Sequence, residues 1–81
     1  MTTQEKITVI EQVASEIGGQ MYEDYSGRGM YGQTCIGITC ADPQGCIEEA
    51  AARGLRGSRT DNMGKEYIVY WPSVRRGKEE R

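Results

Sequence analysis

Histidine and phenylalanine are both absent from this 81-residue chain, and each absence narrows what the protein can do. Without histidine, the chain lacks the commonest general base, the usual partner of a catalytic Cys or Ser, and the commonest metal ligand. Without Phe, the aromatic residues are one Trp and five Tyr. Tyrosine hydroxyls need hydrogen-bonding partners when they are buried. We therefore expect a non-enzymatic protein with several tyrosines half-buried at its surface.

The sequence also contains no apolar run long enough to span a bilayer and no signal-peptide pattern. Its three cysteines, Cys35, Cys40 and Cys46, form no CxxC pair, and zinc usually needs four ligands at tighter spacing. Chains of the cytoplasm keep their thiols reduced. We expect a soluble cytoplasmic protein with three buried structural thiols, no metal and no cofactor. A metal site and a redox role are the less favoured alternatives for the cysteines.

Charge is unevenly distributed along the chain, although the net charge is only −2. Residues 1–49 hold eight acids and two bases, whereas residues 50–81 hold eight bases and four acids. Such asymmetry can steer a charged partner, but an ordinary solvated surface gives the same pattern. The isoelectric point near 5.1 argues against general coating of nucleic acid, which depends on neutralising many phosphates.

Capping residues and apolar spacing predict two amphipathic helices. A Thr-Thr-Gln-Glu capping box precedes apolar residues at helical spacing, and a Gly-Gly pair follows them, which predicts a helix over residues 3–17. An Asp-Pro pair at residues 42–43 supplies an N-cap and a first helical residue. The second helix is expected to run from there to Gly54.

Four segments rich in β-branched and aromatic residues are typical of strands. They cover residues 20–25, 31–40, 55–60 and 65–71, with turns predicted at 26–29 and 61–64. The order α-β-β-α-β-β predicts an α+β two-layer sandwich, in which a mostly antiparallel sheet of three or four strands carries both helices on one face. We expect one domain over residues 1–72 and a charged, flexible tail over residues 73–81.

The most distinctive stretch runs from Tyr25 to Gly32, where three glycines alternate with Arg, Met and Tyr. Such a loop can approach a ligand closely and presents an Arg beside aromatic rings, which suits phosphate, nucleotide or nucleic-acid contact. Its alternative interpretation is a hairpin turn whose tyrosines cover the edge of the core.

Arginines recur every three residues after the second predicted helix, at positions 53, 56 and 59. Together with Arg28 and Lys65 they could form a basic patch beside a strand tyrosine, although a solvated face is the alternative. The candidate binding residues are Tyr25, Arg28, Met30, Tyr31, Arg56, Arg59, Tyr67 and Tyr70. No catalytic or metal-binding residue is predicted.

Two stretches carry a resemblance to known proteins. They are Asp-Tyr-Ser-Gly-Arg-Gly-Met-Tyr-Gly at residues 24–32 and Gly-Lys-Glu-Tyr-Ile-Val-Tyr-Trp-Pro at residues 64–72. This pattern resembles small uncharacterised proteins of bacteriophages and prophages over about residues 22–72. The resemblance implies a viral accessory protein in the bacterial cytoplasm that binds and inhibits a host component, such as a defence system, and it assigns no site residues.

Three functional hypotheses follow. The first is a binding protein that modulates a host macromolecule, with a host protein favoured over nucleic acid as the partner and no membrane involved. The second is a small-ligand binder that sequesters a nucleotide or another anion, held by arginines and stacked on a tyrosine. An enzyme, with Glu23, Asp24 or Asp61 as its acid or base, is disfavoured by the missing histidine. A homodimer through an exposed sheet face is a further expectation.

Overall fold

Two helices and four strands alternate in the order α-β-β-α-β-β in the computed structural model, which describes residues 1–27 and 30–75. The helices are α1 (Thr3–Ile17) and α2 (Pro43–Ala52), and the strands are β1 (Gln20–Tyr25), β2 (Cys35–Cys40), β3 (Arg59–Asn62) and β4 (Tyr67–Trp71). The strands form one antiparallel sheet in the order β1-β2-β4-β3. The predicted α+β class and order of elements are confirmed.

Both helices begin where the sequence predicts because their caps satisfy free backbone N–H groups. At the start of α1, the Thr2 hydroxyl accepts from the Glu5 backbone N–H at 3.1 Å, and the Glu5 carboxylate accepts from the Thr2 backbone N–H at 2.6 Å. At the start of α2, the Asp42 carboxylate accepts from the Gly45 backbone N–H at 3.2 Å. Within the described residues, neither helix is long and apolar enough to cross a bilayer.

Both helices pack against the same face of the sheet, as predicted. The main core combines the inner faces of the helices with alternate residues of the two central strands. Its buried residues are Ile7, Ile10, Val13, Ala14, Ile36, Ile38, Cys40, Cys46, Ala50, Leu55, Val69, Trp71 and Val74. Side chains alternate between the two faces of a strand, and neither α1 nor α2 lies on the other face of this sheet.

The starts of β2, β3 and β4 and the end of β3 differ from the prediction. Strand β2 begins at Cys35 rather than Tyr31, because the chain first makes a turn in which the Met30 carbonyl accepts from the Gln33 backbone N–H at 3.0 Å. Strand β3 begins at Arg59 rather than Leu55. Leu55 is buried in the main core, and its backbone N–H donates to the Ala50 carbonyl at 2.9 Å, so this residue continues the end of α2.

The predicted turn at residues 61–64 is correspondingly displaced. Asp61 and Asn62 belong to β3 and pair with Ile68 and Tyr67 of β4. The turn lies over residues 63–66 and is closed by a hydrogen bond of 2.8 Å from the Met63 backbone N–H to the Glu66 carbonyl.

The packed part of the chain extends beyond the predicted limit at residue 72. Val74 is fully buried in the main core, and its carbonyl accepts from the Ile36 backbone N–H at 3.0 Å. The first residues of the predicted tail therefore contribute to the domain. Residues 76–81 lie outside the described residues.

The first testable prediction concerns Gly37, in the middle of the central strand β2. A Cβ atom at this position would lie 2.9 Å from the Tyr70 Cβ and 2.9 Å from the Val69 carbonyl oxygen. Because both neighbours belong to the paired strand β4, we expect Gly37→Ala to lower the free energy of unfolding by about 1–3 kcal/mol, as measured by urea denaturation. The control is Thr39→Ala, two residues along the same strand, where the side chain is half-buried. Equal losses in the two variants would contradict a close-packing role for Gly37.

Candidate functional site

The side of the sheet opposite the helices, here named the helix-free face, gathers several of the predicted binding residues. Cross-strand partners in an antiparallel sheet point to the same face. Gly37 pairs with Tyr22 on one side and with Tyr70 on the other, and Tyr70 also pairs with Arg59. The strand residues of the helix-free face are Gln20, Tyr22, Tyr25, Cys35, Gly37, Thr39, Arg59, Asp61, Ile68 and Tyr70.

A row of three tyrosine rings crosses this face from the edge of the sheet towards its centre. The Tyr22 and Tyr25 ring centroids lie 6.0 Å apart with an interplanar angle of 71°. The Tyr25 and Tyr70 centroids lie 4.8 Å apart at 54°. Both distances are typical of favourable aromatic pairs. Exposure decreases along the row, from 41% for Tyr22 to 1% for Tyr70.

A register shift in β1 explains why Tyr22 and Tyr25 share a face. In a regular strand, residues three apart point to opposite sides. Between Tyr22, which pairs with Gly37, and Tyr25, which pairs with Cys35, the register of β1 shifts. Such a bulge restores Tyr25 to the same side as Tyr22. Tyr22 was not predicted as a site residue, because no local signal in the sequence places this bulge.

The Tyr25 hydroxyl donates a hydrogen bond to Oδ2 of Asp61. This bond spans the whole width of the sheet, since β1 and β3 are its two edge strands. Burial, and then the bond to Asp61, raise the pKa of the Tyr25 hydroxyl. Tyr25 therefore stays protonated and acts as a cross-link between the edges. Asp61 was considered as a candidate acid or base and instead has this structural partner.

Residues of the loop between β1 and β2 pack over the helix-free face, and Met30 makes the contacts that attach the loop to this face. The Met30 sulfur accepts from the Gly27 backbone N–H at 3.3 Å and from the Cys35 thiol at 3.8 Å. Gly27 lies flat against Tyr70, because a Cβ atom there would be 2.6 Å from the ring. A second, small core forms beneath the loop from Met30, Cys35, Ile68 and Tyr70, with Tyr25 packed against it.

This second core buries two of the predicted binding residues. Met30 is 6% exposed and Tyr70 is 1% exposed, so neither side chain is available to a partner in this conformation. The physical reason is that neither α1 nor α2 covers this side of the sheet. Ile68 and Tyr70 would otherwise face water, and the loop shields them with Met30 and Gly27.

The remaining predicted residues are dispersed. Tyr31 follows Met30 on the loop and is 91% exposed. Arg56 is exposed between α2 and β3, and Arg59 is exposed on β3 across from Tyr70. Tyr67 is 39% exposed, but it pairs with Cys40 and so points to the helix-bearing side. Arg28 lies outside the described residues.

All three cysteines are free and buried. Burial raises the pKa of the Cys35 thiol to about 11 and that of the Cys46 thiol to about 12, and it also raises the pKa of Cys40. The thiolate is the form that attacks electrophiles and binds metals. Near neutral pH the three thiols are protonated and therefore unreactive. Within residues 1–27 and 30–75, no three His, Cys, Asp or Glu side chains are grouped to hold a metal ion.

An open depression of about 510 Å³ lies on the outer surface of α1, away from the helix-free face. Its lining residues are Met1, Gln4, Glu5, Thr8, Val9 and Gln12. None of the predicted binding residues and no arginine or lysine contributes to it. The depression is therefore poorly suited to the nucleotide-binding alternative, which needs cations around a phosphate.

No protein-family model matches this chain, and no curated protein or solved structure matches it either. The resemblance to phage accessory proteins therefore stays a prediction. Any function has to be inferred from the side chains that the fold leaves exposed.

The second prediction tests the cross-link between the sheet edges. We expect Tyr25→Phe to lower the free energy of unfolding by about 1–2 kcal/mol, because it removes a hydrogen bond to a charged group. The matched control is Tyr22→Phe, since Tyr22 is exposed and its hydroxyl makes no hydrogen bond to another described residue. Urea denaturation measures both variants. A loss in Tyr22→Phe as large as in Tyr25→Phe would contradict the assignment.

The third prediction is loss of stability at alkaline pH. The folded-state pKa values of Cys35 and Cys46 lie above the ordinary thiol value of 9.0. The buried protonated thiols therefore stabilise the folded state fully below about pH 9, and this stabilisation is lost as pH rises towards 11–12. The reason is that only the unfolded chain ionises these thiols in that pH window. Urea unfolding at several pH values should show this decline, and Cys46→Ala should make it shallower. An unchanged slope in Cys46→Ala would be evidence against the buried thiol as its cause.

Proposed function

We propose that this protein is a small non-catalytic binding protein that contacts another macromolecule on the side of its sheet that bears no helix. The observation that carries the proposal is Tyr31, a large aromatic residue whose side chain is 91% exposed on a loop fixed to that side. Tyr22 adds a second, partly exposed ring at the β1 edge. Tyrosine is enriched in the energetically dominant parts of protein interfaces.

Local hydrogen bonds hold the base of the loop that carries Tyr31. The Ser26 hydroxyl donates to the Met30 carbonyl at 3.0 Å, and the Met30 backbone N–H donates to the Gly27 carbonyl at 3.1 Å. On the other side of Tyr31, the Gln33 backbone N–H also donates to the Met30 carbonyl, at 3.0 Å. Fixing both sides of an exposed aromatic residue reduces the entropy lost when a partner binds.

The chemistry of the chain supports a binding role over a catalytic one. The sequence has no histidine, and burial raises the pKa of the Cys35 and Cys46 thiols to about 11 and about 12. Asp61, one of the three acids considered for catalysis, accepts from Tyr25. A nucleophile paired with a base, the usual arrangement for covalent catalysis, is not found among the described residues.

The partner that we propose is a host protein of the bacterial cytoplasm. This choice rests on the resemblance of residues 24–32 and 64–72 to phage and prophage accessory proteins, which implies inhibition of a host component such as a defence system. Tyrosine-rich surfaces suit protein partners because the ring supplies a large apolar area and the hydroxyl a hydrogen bond.

The fourth prediction tests this proposal with two tyrosine variants. Immobilised wild-type protein should retain a stoichiometric protein from bacterial lysate, and Tyr31→Ala should weaken that binding by about tenfold or more, as expected for truncation of an interface anchor. The control is Tyr67→Ala, which removes an exposed tyrosine from the helix-bearing side. Because Tyr31 is 91% exposed and Tyr67 is 39% exposed, Tyr31→Ala should leave the urea midpoint unchanged, and Tyr67→Ala should lower it without unfolding the protein.

Two outcomes would overturn the proposal. One is that no stoichiometric protein is retained, and the other is that Tyr31→Ala and Tyr67→Ala behave alike. Light scattering on the purified protein separates a host partner from a second copy of this chain, since a homodimer would be detected without lysate.

A further inference from the structure

The antiparallel sheet brings three separate arginines to one of its ends. Arg59 begins β3 and pairs with Tyr70, near the end of β4, while Ile36 near the start of β2 pairs with Trp71. The segment before β3, the segment after β4 and the loop before β2 therefore meet at the same end of the sheet. We name this region the basic end and define it by Tyr31, Arg56, Arg59 and Arg75.

The arginines of the basic end lack carboxylate partners within residues 1–27 and 30–75. Arg56 and Arg59 are exposed and Arg75 is half-buried, and none of the three makes an ion pair with a described residue. By contrast, Arg53 bonds Glu49 at 2.6 Å. Among the described residues, the only hydrogen bond from an arginine of the basic end joins Arg75 Nε to the Pro72 carbonyl at 3.5 Å.

Arg75 also lies near the helix-free face. The positive charge of Arg75 lowers the pKa of the Cys35 thiol, whereas burial raises it, and the effect of burial is the larger one. Cys35 belongs to the second core beneath the loop that carries Tyr31. The nearby acid Asp61 is engaged by Tyr25, and Glu23 and Asp24 are two further acids near the end of β1.

We propose that the basic end binds an acidic, carboxylate-rich segment of a partner protein, with Arg56, Arg59 and Arg75 contacting carboxylates and Tyr31 packing beside them. This inference rests on the proposed function and names the chemistry of its partner. A guanidinium group presents a planar pair of N–H donors that matches a carboxylate. Arg and Tyr are also the residue types most often found at interface hot spots.

An acidic protein segment fits this region better than nucleic acid does. Nucleic-acid affinity depends on neutralising many phosphates along a strand, and this chain carries a net charge of −2 with eight acids in residues 1–49. Those acids would repel an extended polyanion outside the basic end. A short acidic segment needs only the local cluster of arginines, so the distant acids oppose it much less.

The test is an NMR titration of the full chain with three probes, namely an oligoglutamate peptide, oligothymidylate and inorganic phosphate. We expect oligoglutamate to shift the backbone amides of Tyr31, Arg56, Arg59 and Arg75. An Arg56→Gln and Arg59→Gln double variant should weaken binding by about tenfold or more. The control is Lys65→Gln, which removes a cation from the turn at the opposite end of the sheet and should leave binding unchanged. Circular dichroism verifies that each variant is folded.

Several results would overturn the inference. These are no shifts with oligoglutamate, shifts centred elsewhere, equal weakening by Lys65→Gln, or tighter binding of oligothymidylate or phosphate than of oligoglutamate. If oligoglutamate does not bind while retention of a lysate protein still requires Tyr31, the inference that the partner segment is acidic is wrong and the proposed binding function stands. If oligoglutamate binds but no lysate protein depends on Tyr31, the proposed function is the part that fails.

Discussion

A four-stranded sheet has two faces, and α1 and α2 both cover the same one. That constraint determines how the second face is built. Ile68 and Tyr70 lie at its centre and would be in contact with water, so they are covered by residues of the β1–β2 loop and by the ring of Tyr25. The bond from Tyr25 to Asp61 then ties the two edges of the sheet over this thin layer. Because Gly27 and Gly37 have no side chain, both can lie close to Tyr70, and the layer of residues over the sheet stays thin.

Sequence patterns predicted the elements whose causes are local. The capping box at Thr2 and Glu5 and the N-cap at Asp42 depend on residues three positions apart, so the sequence shows them directly. Period-two alternation in β2 is likewise local, and it puts Ile36 and Ile38 on one face, which the structure buries in the main core. The start of β3 was wrong because Leu55 packs into the core beside α2, a distant contact that its neighbours in sequence do not reveal.

The candidate site was harder to predict because its arrangement depends on long-range contacts. Gly27, Arg28, Met30 and Tyr31 were recognised as one distinctive loop, but nothing local shows that Met30 turns inward while Tyr31 turns outward. Tyr22 was missed because it reaches the same face as Tyr25 only through a shift in register. Arg75 was missed because its segment was expected to be a flexible tail, whereas Val74 anchors that segment in the core.

The register shift in β1 has a consequence for the behaviour of the protein in a crowded cell. An unpaired edge strand offers a row of N–H and C=O groups on which another extended chain can align, and this is a route to fibrillar self-assembly. A bulge bends such an edge and interrupts its regular hydrogen-bonding pattern. The opposite edge, β3, is only four residues long. The bulge that places Tyr25 on the same face as Tyr22 therefore also hinders the pairing of other chains with the edge strand β1.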